Sequence, residues 1–147
     1  MYQRILVATD GSELSNKAVD HAVRLAATCG AELLAATVIP VYPRGYYDGS
    51  LALHEDEIAR IKQSWADIGR KHLDAVRDAG AAHKVKVTEV IAESDVVSDT
   101  LLELATKHNA DLIVMASHGR RGMSRLLLGS ETQHVITHAK IPVLVLH

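Results

Sequence analysis

The sequence predicts an α/β protein: one domain spanning 1–147, built on a doubly wound five-stranded parallel sheet in the order 3-2-1-4-5, with helices on both faces. Two observations lead there. Five short runs rich in Ile, Val and Leu alternate with segments whose apolar residues recur at three- and four-residue steps, giving a βαβαβαβαβ chain, the pattern of a parallel sheet with helical crossovers. A length of 147 residues with 48% hydrophobic content allows one substantial core, and with no Phe, one Trp and four Tyr that core must be aliphatic.

The first strand candidate is Ile5 to Ala8. A helix follows over about Ser12 to Cys29, with Leu14, Ala18, Ala22, Leu25, Ala26 and Cys29 on one face, Ser12 as N-cap and Gly30 as C-terminal stop. Glu32 to Ile39 reads as the second strand. The connection Pro40 to Ser50, carrying Tyr42, Tyr46, Tyr47 and two glycines, reads as a surface loop that acts either as a flap or as a plain connector. A second helix shows the clearest stripe, Ile58, Ile61, Trp65, Ile68, Ala75 and Ala79 with His72 standing on it, and Gly80 ends it. Val85 to Ile91 is the third strand. A third helix follows Ser94, turns Val97, Leu101, Leu104 and Ala105 inward, and stops near Asn109. Asp111 to Met115 is the fourth strand, about Ser130 to Ala139 a short fourth helix with Val135, Ile136 and Ala139 apolar, and Ile141 to Leu146 the fifth strand.

This strand order opens a crevice between strands 1 and 4, the point at which doubly wound sheets bind ligands. Strand 1 ends in Ala8-Thr9-Asp10-Gly11-Ser12 and strand 4 in Ala116-Ser117-His118-Gly119, so two polar turns should face each other. The second turn leads into a loop suited to an anion. Gly119 lets backbone approach a ligand, while Arg120, Arg121 and Arg125 supply positive charge. Gly129, Ser130, Glu131 and Thr132 begin the fourth helix with N–H groups that have no intrahelical partner, and the Ser130 hydroxyl adds a donor. Singly, Gly119 and Gly122 read as turn formers, Gly129-Ser130 as a helix cap and the arginines as solvated charge. Together, after a buried strand, they meet the needs of an anion site. Asp10 has two readings: a carboxylate accepting from a ribose hydroxyl or adenine amino group, or facing a metal held by phosphates, and a charge on the first helix dipole worth about 0.3–1 kcal/mol.

Other chemistry fits less well. The loop has no Gly-Lys-Ser/Thr ending, and no G-x-G-x-x-G opens a helix after the first strand. His134 and His138 are one turn apart, but Val135-Ile136-Thr137 between them lacks the glutamate of a zinc protease helix. Ser117 and His118 near Asp10 suggest a triad, yet no G-x-S-x-G elbow surrounds Ser117, and adjacent residues tend to point apart. Cys29, the lone cysteine, cannot form an intramolecular disulfide and reads as a small core residue. Net charge −2 gives no broad basic field for nucleic acid or an anionic membrane. No apolar stretch approaches about 20 residues and no leader is recognised, so a cytoplasmic location is expected.

Ala116, Gly119, Gly129 and Ser130 closely resemble the ATP-binding signature of the universal stress protein family, G-x2-G-x9-G-[S/T], with Ala116 where that signature has its first glycine. MYQRILVATDGSELSNKAVDHAV, DLIVMASHGRRGMSRLLLGS and IPVLVL extend the resemblance along the chain. The resemblance implies ATP as the ligand, with Mg²⁺ as the ion its phosphates can bring. It places Thr9, Asp10, Val38, Met115, Ala116, Gly119, Gly129, Ser130 and Thr132 in the pocket. The implied role is a sensor or regulator of the stress response with an unidentified protein partner. Slow ATP hydrolysis or phosphoryl transfer is a second reading, although no water-activating base is evident, and an interaction module without nucleotide is a third. Ile141 to Leu146 is an apolar edge strand in which Pro142 is tolerated, so a homodimer with this strand at its two-fold contact is expected, as the resemblance also implies.

Overall fold

The computed structural model describes residues 1–42, 54–119 and 128–147. Its elements run β1 (Arg4–Ala8), α1 (Glu13–Cys29), β2 (Glu32–Ile39), α2 (Glu55–Ala82), β3 (Val87–Glu93), α3 (Val97–Lys107), β4 (Leu112–Ala116), α4 (Ser130–His138) and β5 (Val143–Leu146). The strands form one parallel sheet in the order β3-β2-β1-β4-β5, as expected. Register sorts the side chains by parity. Ile5, Val7, Leu33, Ala35, Leu112 and Val114 face the layer made by α1 and α2. Leu6, Leu34, Ala36, Ile113 and Met115 face α3 and α4. Both faces of the central strands are therefore dry, which is why these runs are apolar at successive positions rather than at alternate ones.

α1 begins and ends where its caps dictate. Ser12 is extended and its hydroxyl accepts from the Ser15 N–H at 3.2 Å, while Gly30 takes the left-handed conformation at φ 68°. α2 departs from the expected face. Its buried residues are Gly69, Leu73, Val76 and Gly80, whereas Ile68 is 45% exposed and Ala75 lies in solvent. The seam runs along two glycines because they let the helix axis approach the sheet: a Cβ at Gly69 would stand 3.2 Å from Thr37 Cγ2, and one at Gly80 would enter the Val87 side chain. Gly80 is accordingly an interior contact, and the helix runs on to Ala82. Its first half buries no residue fully, and there Trp65 meets Tyr42 with ring centroids 6.1 Å apart.

In α3, Leu101, Leu104 and Ala105 are buried as expected, and Asn109 turns the chain at φ 55°. In α4 the buried residues are Thr132 and Val135, while Ile136 is 44% exposed. Cys29 is half-buried against the α1–α2 side of the core. The two sheet rims differ. β5 offers Val143 to Leu146, all half-buried, and pairs with β4 alone among the described strands. β3 exposes Thr88, Glu89 and Glu93 on the opposite rim, with Arg77 3.7 Å from Glu89 and Lys62 3.6 Å from Glu93. At the lower end of the sheet, Arg4 and Lys86 both hydrogen-bond Glu32, at 2.7 and 3.1 Å.

Candidate functional site

β1 and β4 are hydrogen-bonded neighbours whose crossovers leave on opposite faces, so the turns at their carboxyl ends open a crevice at the centre of the sheet. One wall is the β1–α1 turn. Thr9 is buried, its N–H donates to the Ala36 carbonyl at 2.9 Å, and its hydroxyl accepts from the Gly11 N–H at 3.2 Å. Gly11 sits at φ 76°, and the Ser12 N–H donates to Asp10 Oδ1 at 2.9 Å. These bonds fix the Asp10 carboxylate at the crevice mouth.

The facing wall follows β4. The Ser117 N–H donates to the Leu146 carbonyl at 2.8 Å, and the Ser117 carbonyl accepts from the Gly129 N–H, also at 2.8 Å. The Thr132 hydroxyl, buried, donates to the Ala116 carbonyl at 3.0 Å. The start of α4 is thereby tied to the end of β4. Gly119 meets the opposite wall: a Cβ there would stand 2.6 Å from Asp10 Oδ2. Gly129 is less tightly placed, but its Cβ would still lie 3.3 Å from the Ser117 carbonyl oxygen and 3.4 Å from His118 Cα. Ala8, Val38 and Met115 pack into the cluster on the α3–α4 face, with Met115 buried and Val38 half-buried beside Ala92.

Thus the two turns come together with Asp10 against Gly119, and Ala116, His118, Gly129, Ser130 and Thr132 follow on one wall. Arg120, Arg121 and Gly122, together with Arg125, Tyr46 and Tyr47, lie outside the described residues. The donor count differs from expectation in one respect: the Gly129 N–H is spent on Ser117, which leaves the N–H groups of Ser130, Glu131 and Thr132 as the first of α4. Gly129 makes no side-chain cap, so no side-chain oxygen of the capping residue competes for these donors. Backbone donors beside two positions without a Cβ suit a phosphate chain, and a Cβ at either glycine would narrow the cradle.

Glu131 has a partner that sequence patterning missed. Its Oε2 accepts from the Ser98 N–H at 2.6 Å, at the first turn of α3. The N-cap of α3, Val96, has no side chain able to cap, and Glu131 supplies the acceptor from the neighbouring helix. His134 Nε2 meets Asp99 Oδ1 at 2.8 Å one turn further along, and its ring stacks on His138 at 4.1 Å. Among the described residues no group of three His, Cys, Asp or Glu could hold a metal ion. Ser117 and His118 do not point apart: the hydroxyl and Nδ1 lie 3.2 Å from each other. Ser117 is 4% exposed, so this pair presents no open nucleophile.

Glu32 lies away from the crevice, at the opposite end of the strands, where β2 starts beside Arg4. Hydrogen bonding to Arg4, then to Lys86, holds Glu32 below the usual carboxylate range.

The profile of the Universal stress protein family matches residues 1–147. Universal stress protein MJ0531 of Methanocaldococcus jannaschii is 35% identical over 145 residues, covering 99% of this chain and 82% of that one. Universal stress protein YxiE of Bacillus subtilis is 31% identical over 147 residues, covering 99% of each. Among solved structures, a universal stress protein in complex with cAMP superposes with a TM-score of 0.72 at 29% identity, over 99% of this chain and 97% of that one.

Proposed function

The chain belongs to the universal stress protein family, and from that premise we propose that it is one ATP-binding domain acting as a sensor or regulator in the stress response. The observation that carries this reading is the meeting of Asp10 with Gly119 across the crevice, beside the uncapped first turn of α4. In this reading the phosphates lie against Gly119, Gly129 and the N–H groups of Ser130, Glu131 and Thr132, with Arg120 and Arg121 as counter-charge. Asp10 and Val38 hold the nucleoside end, Ala8, Thr9, Met115 and Ala116 line its floor, and His118 and Gly122 flank the phosphate loop. The cAMP complex of a 29% identical relative supports an adenine nucleotide as the ligand class. A Mg²⁺ ion would arrive with the triphosphate, where Asp10 is the described carboxylate able to face it.

In this reading nucleotide occupancy of the crevice alters what a protein partner meets. The reading is of a cytoplasmic protein; among the described residues no helix is long and apolar enough to cross a membrane. β5, apolar and paired on one side by a described strand, supports a homodimer through Ile141 to Leu146. Light scattering on the eluting protein tests this, with a mass of one chain as the refuting result.

Nucleotide released from freshly purified, acid-precipitated protein and identified by mass spectrometry tests the ligand. Isothermal titration with ATP, ADP and cAMP then ranks the candidates. Gly129→Val should abolish binding while the circular dichroism spectrum stays unchanged, because a branched side chain there meets the Ser117 carbonyl and the His118 backbone. Unchanged affinity would remove Gly129 from the site. Product formation lost in Asp10→Ala would favour an enzyme instead.

A further inference from the structure

The β1–α1 turn is braced from an element that no phosphate motif includes. Gly11 lies at φ 76°, where a side chain is strained, and the space a Cβ would occupy there is filled by the imidazole of His72, whose Nε2, Cδ2 and Cε1 are the nearest atoms. His72 projects from α2 and is half-buried. Its helix is anchored by the seam of Gly69, Leu73, Val76 and Gly80, so the ring is delivered by a rigid element. On the other side of the same turn, Asp10 accepts from the Ser12 N–H and abuts Gly119. The contacts therefore form a row across the crevice mouth: His72, Gly11, Asp10, Gly119.

We propose that His72 is a positioning residue for the nucleotide crevice: its imidazole backs Gly11 and holds the Asp10 carboxylate at the distance from Gly119 that a ligand requires. This deepens the proposed function and rests on it for the ligand. The bracing itself is independent of any ligand. The hydrogen bonds of the turn hold it from within, and a wedge on its outer side further limits the conformations the carboxylate samples before binding.

Two experiments on the full chain test this. The first needs no nucleotide. Gly11→Ala should lower the thermal midpoint more in the wild-type background than in His72→Ala, because removing the ring opens the space the new methyl needs and leaves the backbone strain alone. Equal losses in both backgrounds would overturn the contact.

The second measures nucleotide affinity in parallel with the wild-type chain. His72→Ala should raise the dissociation constant about tenfold, and His72→Gln, whose side-chain amide reaches as far as Nε2, should restore it to within about threefold. An unchanged constant in His72→Ala, or a glutamine variant as weak as the alanine one, would overturn the positioning role. Should wild-type protein bind no adenine nucleotide, the proposed function fails. The first experiment still decides whether His72 braces the turn.

Discussion

Replacing Glu131 by alanine tests how α3 and α4 are joined. α3 starts at Val97 with valine as its N-cap, so the Ser98 N–H would lack an acceptor but for Glu131 Oε2 at 2.6 Å. Losing a capping oxygen costs about 0.5–2 kcal/mol and losing a carboxylate at a helix N-terminus about 0.3–1 kcal/mol. The two overlap because one group supplies both, so the expected loss is about 1–2 kcal/mol, a drop in thermal midpoint of about 2–6 °C for a chain of this size. Urea unfolding followed by circular dichroism measures the first quantity and calorimetry the second. Hydrogen exchange localises it, with protection lost at the Ser98 amide. Glu131→Gln, which keeps an acceptor, should recover part of the loss. A change under about 0.3 kcal/mol in the alanine variant, or undiminished protection at Ser98, would refute the bridging role. Nucleotide affinity adds a second check. A carboxylate engaged at the Ser98 N–H is not free to oppose the proposed nucleotide, so Glu131→Ala should leave nucleotide affinity within about threefold. Marked tightening would mean that the charge faces the ligand.

Three further outcomes follow from contacts elsewhere. Gly80→Ala should destabilise the chain, because the helix-propensity gain of about 1 kcal/mol is outweighed by overpacking against Val87, which costs about 1–3 kcal/mol; a raised urea midpoint would refute the close seam. Thr132→Val should lose about 1–2 kcal/mol, since the Ala116 carbonyl gives up its buried hydroxyl donor at 3.0 Å, with an unchanged urea midpoint as the contrary result. Glu32 has its pKa lowered by Arg4 and then Lys86, so its contribution to stability is present above its unfolded value, about 4.3, and is lost as pH falls through the folded value. Arg4→Met should return the Glu32 carboxyl titration, followed by carbon NMR, toward the ordinary range; an unmoved titration would show that Arg4 does not hold it.

What the sequence disclosed and what it hid divide along physical lines. Strand order followed from the alternation of apolar runs with helices, because crossover handedness leaves few ways to wind such a chain. Ser12 and Gly30 marked the ends of α1 because capping is local chemistry. That the β1 and β4 turns face each other was legible, since a switch point follows from order alone. The α2 face was not. Pattern reading weights large apolar residues, whereas close approach placed the seam on Gly69 and Gly80 and left Ile68 outside. Glu131 on Ser98 joins residues 33 apart, and the Gly129 N–H on Ser117 joins residues 12 apart; neither spacing has a period to detect. The valine at the N-cap of α3 was the one available signal, a helix start without its own acceptor.

The unlike rims of the sheet bear on how far assembly can proceed. A second copy joined along Val143 to Leu146 would turn both β3 rims outward, each lined by Glu89 and Glu93. Lateral addition of a third copy there would have to desolvate the Arg77–Glu89 and Lys62–Glu93 pairs that water now reaches. A dimer built through β5 would thus leave a charged, ion-paired rim on each outer side, a poor template for further edge-to-edge addition.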